Sequence, residues 1–136
     1  GAAVAVEGKR PVIMFTGDGS FHMNMNEACT AVSYNLPVIT VILNNQVLGM
    51  VRQWQSAFYD RRFASSEPER KTDYKTVAEG FGAVGYHCET LAEFKAAFAE
   101  ALTLGRPVWI ECLIDREEKA LPMIPAGGTV DDTLFN

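Results

Sequence analysis

Two apolar runs, each halted by polar turn residues, constrain this chain more than any other feature. Residues 11–15 are apolar and β-branched in the middle, and they stop at Thr16-Gly17-Asp18-Gly19-Ser20. Residues 38–43 stop as abruptly at Asn44-Asn45. Runs of this length, bounded by turn residues and separated by a helix-length segment, predict parallel strands buried on both faces. In such a sheet the carboxyl ends of the strands share one edge, where ligands bind. Asp18 and Asn45 are therefore expected to meet there. They offer a carboxylate and an amide oxygen, hard ligands suited to Mg²⁺. Gly17 and Gly19 let the main chain approach a ligand closely. The amides of Gly19, Ser20 and Phe21 are expected to open a helix that favours a phosphate. Taken singly, Gly-Asp-Gly is also a plain turn and Asn-Asn a plain strand end. Together at one sheet edge they imply a metal held between a carboxylate and a diphosphate.

The rest of the chain frames that edge as one α/β domain over residues 1–136, long enough for a single substantial core. Residues 1–7 read as the last turns of a helix whose beginning is absent, so the chain is expected to be a piece of a longer one. Residues 24–35 read as the crossover helix, with Met25, Ala28, Cys29, Ala31 and Val32 as its apolar surface, and Asn35-Leu36-Pro37 ends it. Residues 48–58 predict a helix whose Met50, Val51, Trp54 and Phe58 form one apolar stripe. Core packing is the bland account of that stripe, and a place at the pocket mouth the sharper one. Residues 59–71 are polar and read as a solvated, mobile loop. Asp73 caps a helix carrying Tyr74, Val77 and Phe81, which ends near Gly82, and residues 85–88 form a short strand. Thr90 and Glu93 make a capping box for a helix that buries Leu91, Phe94, Ala97, Phe98, Ala101 and Leu102 and stops at Gly105 and Pro107. Residues 108–114 are the last strand, and the remainder is irregular. The expected architecture is a three-layer open parallel sheet with helices on both faces.

Charge and cysteine usage exclude several functions. The net charge of −5 comes from scattered residues with no basic block, which disfavours nucleic-acid binding. No apolar run approaches the roughly 20 residues that span a bilayer, and no signal core follows a basic start. Cys29, Cys88 and Cys112 are single and far apart in apolar contexts, so buried reduced thiols are expected. No C-x-x-C or His/Cys cluster suggests zinc or an iron–sulfur centre, and a reducing, cytosol-like compartment fits.

Gly17-Asp18-Gly19, residues 20–43 and then Asn44-Asn45 together resemble the signature of thiamine diphosphate enzymes. Leu48-Gly49-Met50-Val51-Arg52-Gln53-Trp54-Gln55 and Phe58-Tyr59 narrow the resemblance to the acetolactate synthase (acetohydroxyacid synthase) catalytic subunit. The tail Asp115-Arg116-Glu117-Glu118, with Pro122-Met123-Ile124-Pro125, is similar to that family's C-terminal segment. The likeness covers nearly the whole chain. It departs at Asn26, where a glutamine is usual, and over residues 64–71, which show no clear family pattern.

The resemblance implies the family's C-terminal thiamine diphosphate- and Mg-binding domain, with the upstream domains absent. It implies that Asp18 and Asn45 ligate Mg²⁺ with the Val47 carbonyl. Gly19, Ser20 and Gly49, beside Gly17, would contact the diphosphate through the backbone. Met23 and Met50 would touch the cofactor rings, unless they are ordinary core methionines. Trp54 would stand at the substrate channel where sulfonylurea and imidazolinone herbicides stack, with Arg52 facing the same entrance. His22 is either an acid–base group or a structural helix-start histidine.

No catalytic residue is named. The family's activating glutamate belongs to the pyrimidine-binding domain of a second subunit, and Glu7, Glu27 and Glu79 do not match its motif. The implied reaction joins two pyruvates, or pyruvate and 2-oxobutyrate, with loss of CO₂ in branched-chain amino-acid biosynthesis. The implied setting is a cytoplasmic homo-oligomer (plastid if from a plant), with room for a regulatory small subunit and no nucleic-acid or membrane partner. A requirement for FAD stays open, since the family's FAD region is absent here. Two alternatives remain. One is a thiamine diphosphate enzyme of the glyoxylate carboligase or pyruvate oxidase type, against which Gly49 to Gln55 argues. The other is a non-catalytic diphosphate-binding module. Alone, the chain is expected to be catalytically silent and to self-associate through an apolar face.

Overall fold

The computed structural model describes residues 1–135. Its four strands, β1 (Val12–Gly17), β2 (Val38–Asn44), β3 (Val84–Cys88) and β4 (Val108–Leu113), form one sheet in the order β1-β2-β4-β3. All pairings are parallel, with Val12 beside Val38 and Ile39 beside Val108. Helices α1 (Ala2–Ala5), α2 (Asp18–Asn24), α3 (Ala28–Ser33), α4 (Gly49–Phe58), α5 (Tyr74–Phe81) and α6 (Leu91–Leu104) complete the domain.

The chain steps from β1 to β2, crosses to β3 at the far edge and doubles back to β4 between them. Side chains alternate along each strand, so successive strand residues feed two separate cores. On one face Ile42 and Trp109 pack with Phe21, Ala28, Tyr74 and Ala78, from α2, α3 and α5. On the other, Ile39, Val41, Val108 and Ile110 pack with Ala97 and Ala101 of α6. The three-layer parallel architecture expected from the sequence is the one found. On the first face α5 lies so close to β3 that a Cβ on Gly85 would meet the Lys75 carbonyl oxygen at 2.6 Å.

The strand pattern misleads at β1. Burial on both faces was expected, yet Phe15 is 64 % exposed and Ile13 is also open. Helix α6 connects β3 to β4 at the opposite edge, so it does not reach across to β1. The crossover helix also differs. It begins at Asp18 and is broken by a 3₁₀ turn over Met25–Glu27, entered through Asn24 at φ −138°, ψ 19°. Asparagine competes with the helix backbone for hydrogen bonds, which suits it to such a break.

Cys29, expected to be buried, is exposed, whereas Cys88 is buried and Cys112 half-buried. Burial pushes the Cys112 thiol up to about 11. In α6 the capping box forms as read, but Leu91 and Leu102 stay exposed, and Leu104 packs instead. Asp73 caps α5 by accepting from the Thr76 amide at 2.9 Å. The tail holds a 3₁₀ turn at Val130–Asp132 and an antiparallel bridge between Met123 and Leu134 where only irregular chain was expected.

Candidate functional site

The carboxyl ends of β1 and β2 open into a cleft of about 520 Å³. Gly17, in extended backbone (φ −86°, ψ 160°), carries the chain from β1 into α2. Asp18 follows at once and is only 2 % exposed. Across the cleft, two successive asparagines shape the loop after β2. Asn44 Oδ1 accepts from the Gln46 amide at 3.0 Å, and Asn45 Oδ1 accepts from the Val47 amide at 3.2 Å. Gln46 is thereby held in the left-handed region at φ 61°, which costs a non-glycine residue energy and needs such support. A Cβ on Gly49 would stand 2.7 Å from Asn45 Nδ2, so any side chain there would displace the Asn45 amide.

Gly17, Asp18, Gly19, Ser20, Met23, Asn45, Val47, Gly49 and Met50 all line this one cleft. Met23 and Met50 are 72 % and 56 % exposed, so neither is a core methionine. His22 does not line the cleft. Its ring meets Tyr74 edge-on at 5.5 Å, and neither His22 Nε2 nor the Tyr74 hydroxyl has a hydrogen-bond partner among the described residues. Burial is the main reason the Tyr74 hydroxyl is pushed up to about 12.

Arg52 lies outside the Asp18 cleft and lines a separate pocket with Gly49, Gln53 and Glu117. It is 6 % exposed, forms ion pairs with Glu67 and Glu117, and lies 3.9 Å over the Phe63 ring. Trp54 is half-buried, tilted against Phe58 at 5.1 Å, and outside the Asp18 cleft. Helix α4 is thus turned the opposite way from the core reading of its stripe. Arg52 and Gln53 are its buried residues, and Met50, Val51 and Phe58 face outward. Gln53 is held by a reciprocal pair, donating to the Ala120 carbonyl at 3.2 Å and accepting from the Ala120 amide at 2.8 Å.

Two parts of the site were missed. The first is a buried polar link across three strands. Asn44 Nδ2 donates to Glu111 Oε1 at 2.6 Å, and His87 Nδ1 lies 2.6 Å from Glu111 Oε2. Glu111 is 4 % exposed, and its hydrogen bond is the main cause of the raised His87 pKa. A lone carboxylate inside the apolar run Val108-Trp109-Ile110-Glu111-Cys112 was the available signal. The second is Arg70, whose Nη1 donates to Asp18 Oδ2 at 2.6 Å. The polar sequence of its loop predicts a solvated segment, yet the loop is docked. Ser66 is fully buried, and its carbonyl accepts from the Leu48 amide at 2.8 Å. Nothing local in the sequence marks that contact.

Among the described residues no three His, Cys, Asp or Glu side chains gather into a metal cage. The cleft offers a different donor set, the Asp18 carboxylate and the Asn45 amide oxygen, which are hard oxygen ligands of the kind Mg²⁺ takes.

The profile of the thiamine pyrophosphate enzyme C-terminal TPP-binding domain matches residues 1–112. The acetolactate synthase isozyme 3 large subunit of Escherichia coli (strain K12) is 39% identical over 124 residues, covering 89% of this chain and 22% of that protein. Acetolactate synthase 1, chloroplastic, of Oryza sativa subsp. japonica is 36% identical over 143 residues, covering 100% of this chain and 22% of that protein. Among solved structures, the Rhodococcus jostii RHA1 thiamine diphosphate-dependent 4-hydroxybenzoylformate decarboxylase superposes with a TM-score of 0.75 at 30% identity. That superposition covers 84% of this chain and 21% of that one. The chain spans about a fifth of the length of the relatives it matches.

Proposed function

Because this chain belongs to the family of C-terminal TPP-binding domains of thiamine pyrophosphate enzymes, we propose that its cleft holds the Mg²⁺-diphosphate end of thiamine diphosphate. The observation that carries this reading is a nearly fully buried Asp18 carboxylate lining the same cleft as the Asn45–Gly49 loop. Asp18, the Asn45 amide oxygen and the Val47 carbonyl hold the metal. The Asn45 oxygen already accepts one hydrogen bond from Val47, and its second lone pair remains for the cation. The Gly17–Ser20 backbone and Gly49 contact the phosphates, and the exposed Met23 and Met50 meet the organic part of the cofactor. Bound there, thiamine diphosphate supplies the electron sink that lets a 2-oxo acid lose CO₂.

The chain's own residues position rather than react. The Glu111–Asn44 bond fixes the Gln46 turn, and the ion pairs of Arg52 hold α4 behind the cleft. In the complete protein the reaction is that of acetolactate synthase, joining two pyruvates or pyruvate and 2-oxobutyrate. The similarity to acetolactate synthase large subunits and the Asn44 to Gln55 stretch support this over other thiamine diphosphate chemistries. The activating glutamate comes from the pyrimidine-binding domain of a second subunit in a homo-oligomer. Trp54 stands at the channel mouth. Trp54→Leu is expected to keep activity and lose sulfonylurea inhibition, and unchanged inhibition in an acetolactate assay would refute that placement.

Asp18→Ala tests the metal assignment. It is expected to weaken Mg²⁺-dependent thiamine diphosphate binding at least tenfold, or about 1.4 kcal/mol. Unchanged affinity by calorimetry would overturn the reading.

A further inference from the structure

Asp18 and Arg70 are the only charged side chains lining the cleft among the described residues, and they are bonded to each other. We propose that Arg70 couples the binding of Mg²⁺ to that of diphosphate. It is the counter-ion of Asp18 until a diphosphate arrives, and a cationic contact for the diphosphate afterwards. This rests on the assignment of Asp18 as a metal ligand.

Burial explains the first role. The Asp18 side chain is 3 % exposed, and a carboxylate so far from water needs a compensating charge. Arg70 supplies it at 2.6 Å. A divalent cation bound to the same carboxylate would meet the guanidinium as a like charge in a poorly solvated place, where such repulsion is strong. Mg²⁺ arriving alone is therefore opposed. A diphosphate carries enough negative charge to reverse the balance, because it neutralises both cations at once.

The second role follows from position. Arg70 Nη2 lies 3.5 Å from where a Cβ on Gly19 would stand, directly over the backbone expected to contact the phosphates. The guanidinium fork matches phosphate as well as carboxylate, so it can change partner without changing kind of bond. Its side chain is 22 % exposed and is carried by a loop rather than a helix or strand. The exchange asks for a turn of the Arg70 side chain alone, while the loop stays docked through Ser66.

The test is calorimetry on the intact protein with three titrants: Mg²⁺ alone, Mg²⁺ with inorganic pyrophosphate, and Mg²⁺ with thiamine diphosphate. Arg70→Gln is expected to bind Mg²⁺ alone at least about threefold more tightly than the natural protein. It should bind Mg²⁺-pyrophosphate and Mg²⁺-thiamine diphosphate at least about tenfold more weakly, corresponding to about 1.4 kcal/mol. Arg70→Lys, which keeps the charge, is expected to stay closer to the natural protein on all titrants. It also guards against reading a folding defect as a binding effect. Unchanged or weaker binding of Mg²⁺ alone in Arg70→Gln, or unchanged diphosphate binding, would overturn the proposal. Asp18→Asn separates the two ideas. If that variant still binds Mg²⁺-pyrophosphate normally, the site assignment itself falls. If it loses binding while Arg70→Gln changes nothing, only the coupling role of Arg70 falls.

Discussion

Helix α6 carries its own start and stop signals, whereas α4 has neither a side-chain cap nor a buried apolar stripe. In α6, Thr90 accepts from the Glu93 amide, Glu93 accepts from the Thr90 amide, and Gly105 ends the helix at φ 60°. Its Ala97 and Ala101 then press against the sheet. In α4 the buried residues are Arg52 and Gln53, and their partners lie 15 to 70 positions away along the chain. The apolar residues Met50 and Val51 face the cleft instead. A helix that supports the core can be specified locally, because its cap and its apolar face lie in its own sequence. A helix that turns apolar side chains towards an open cleft has to be held from behind by something else. In α4 that support is a buried guanidinium bonded to two distant carboxylates.

Three substitutions probe the contrast, beginning with the largest expected effect. Arg52→Met removes the central charge of the α4 clasp. Glu67 and Glu117 are 44 % and 45 % exposed, so they regain water and limit the loss to about 2 kcal/mol, below that of a fully buried pair. Chemical denaturation measures it. A loss under about 0.5 kcal/mol would class these contacts with ordinary surface ion pairs and dissolve the comparison. The same variant is expected to weaken Mg²⁺-diphosphate binding, because Met50 and Gly49 sit on the helix it loosens.

Thr90→Ala removes the α6 cap and is expected to cost about 1 kcal/mol. Mg²⁺-diphosphate affinity should stay unchanged, since α6 lies on the other face of the sheet and does not line the cleft. A matching loss of binding would mean that the two helices are not independent.

The smallest effect concerns His87, which belongs to neither helix but supports the Asn44 turn through Glu111. Its folded pKa is raised, chiefly by the Glu111 hydrogen bond. The proton is thus held more tightly in the folded state. The resulting stability is fully present below the unfolded value of about 6.5 and is lost as pH rises through the higher folded value. The stability gap between the natural protein and His87→Gln is therefore expected to be widest in mild acid and to narrow towards alkaline pH. Thermal melts across that range measure it. A gap that widens with rising pH would reverse the assigned charge state.

Much of the site was legible because its residues are close in sequence to the strand ends that place them. Gly17, Asp18, Asn45 and Gly49 stand at or near the end of an apolar run, and a parallel sheet brings such ends to one edge whatever the loops do. The caps at Asp73 and Thr90 were legible for a similar reason, since each bonds an amide three residues onward. Helix α4 was not. Its stripe has a helical period, but periodicity gives the contrast between two sides of a helix and not the direction in which either side points.

The sequence by itself determined the alternation of strand and helix, the parallel sheet, and the polar edge where Asp18 and the Asn45 loop meet. These follow from short-range terms: apolar runs, capping side chains and turn residues act within a few positions of themselves. Tertiary structure alone decided that Arg52 faces inward, that Phe15 stays exposed at the β1 edge, that Glu111 braces Asn44, and that Arg70 closes on Asp18. In each of these cases the partner, or its absence, is set by where a distant segment comes to rest. A charge buried there is stable only once that partner has arrived, because the desolvation cost is offset by a contact no local pattern contains.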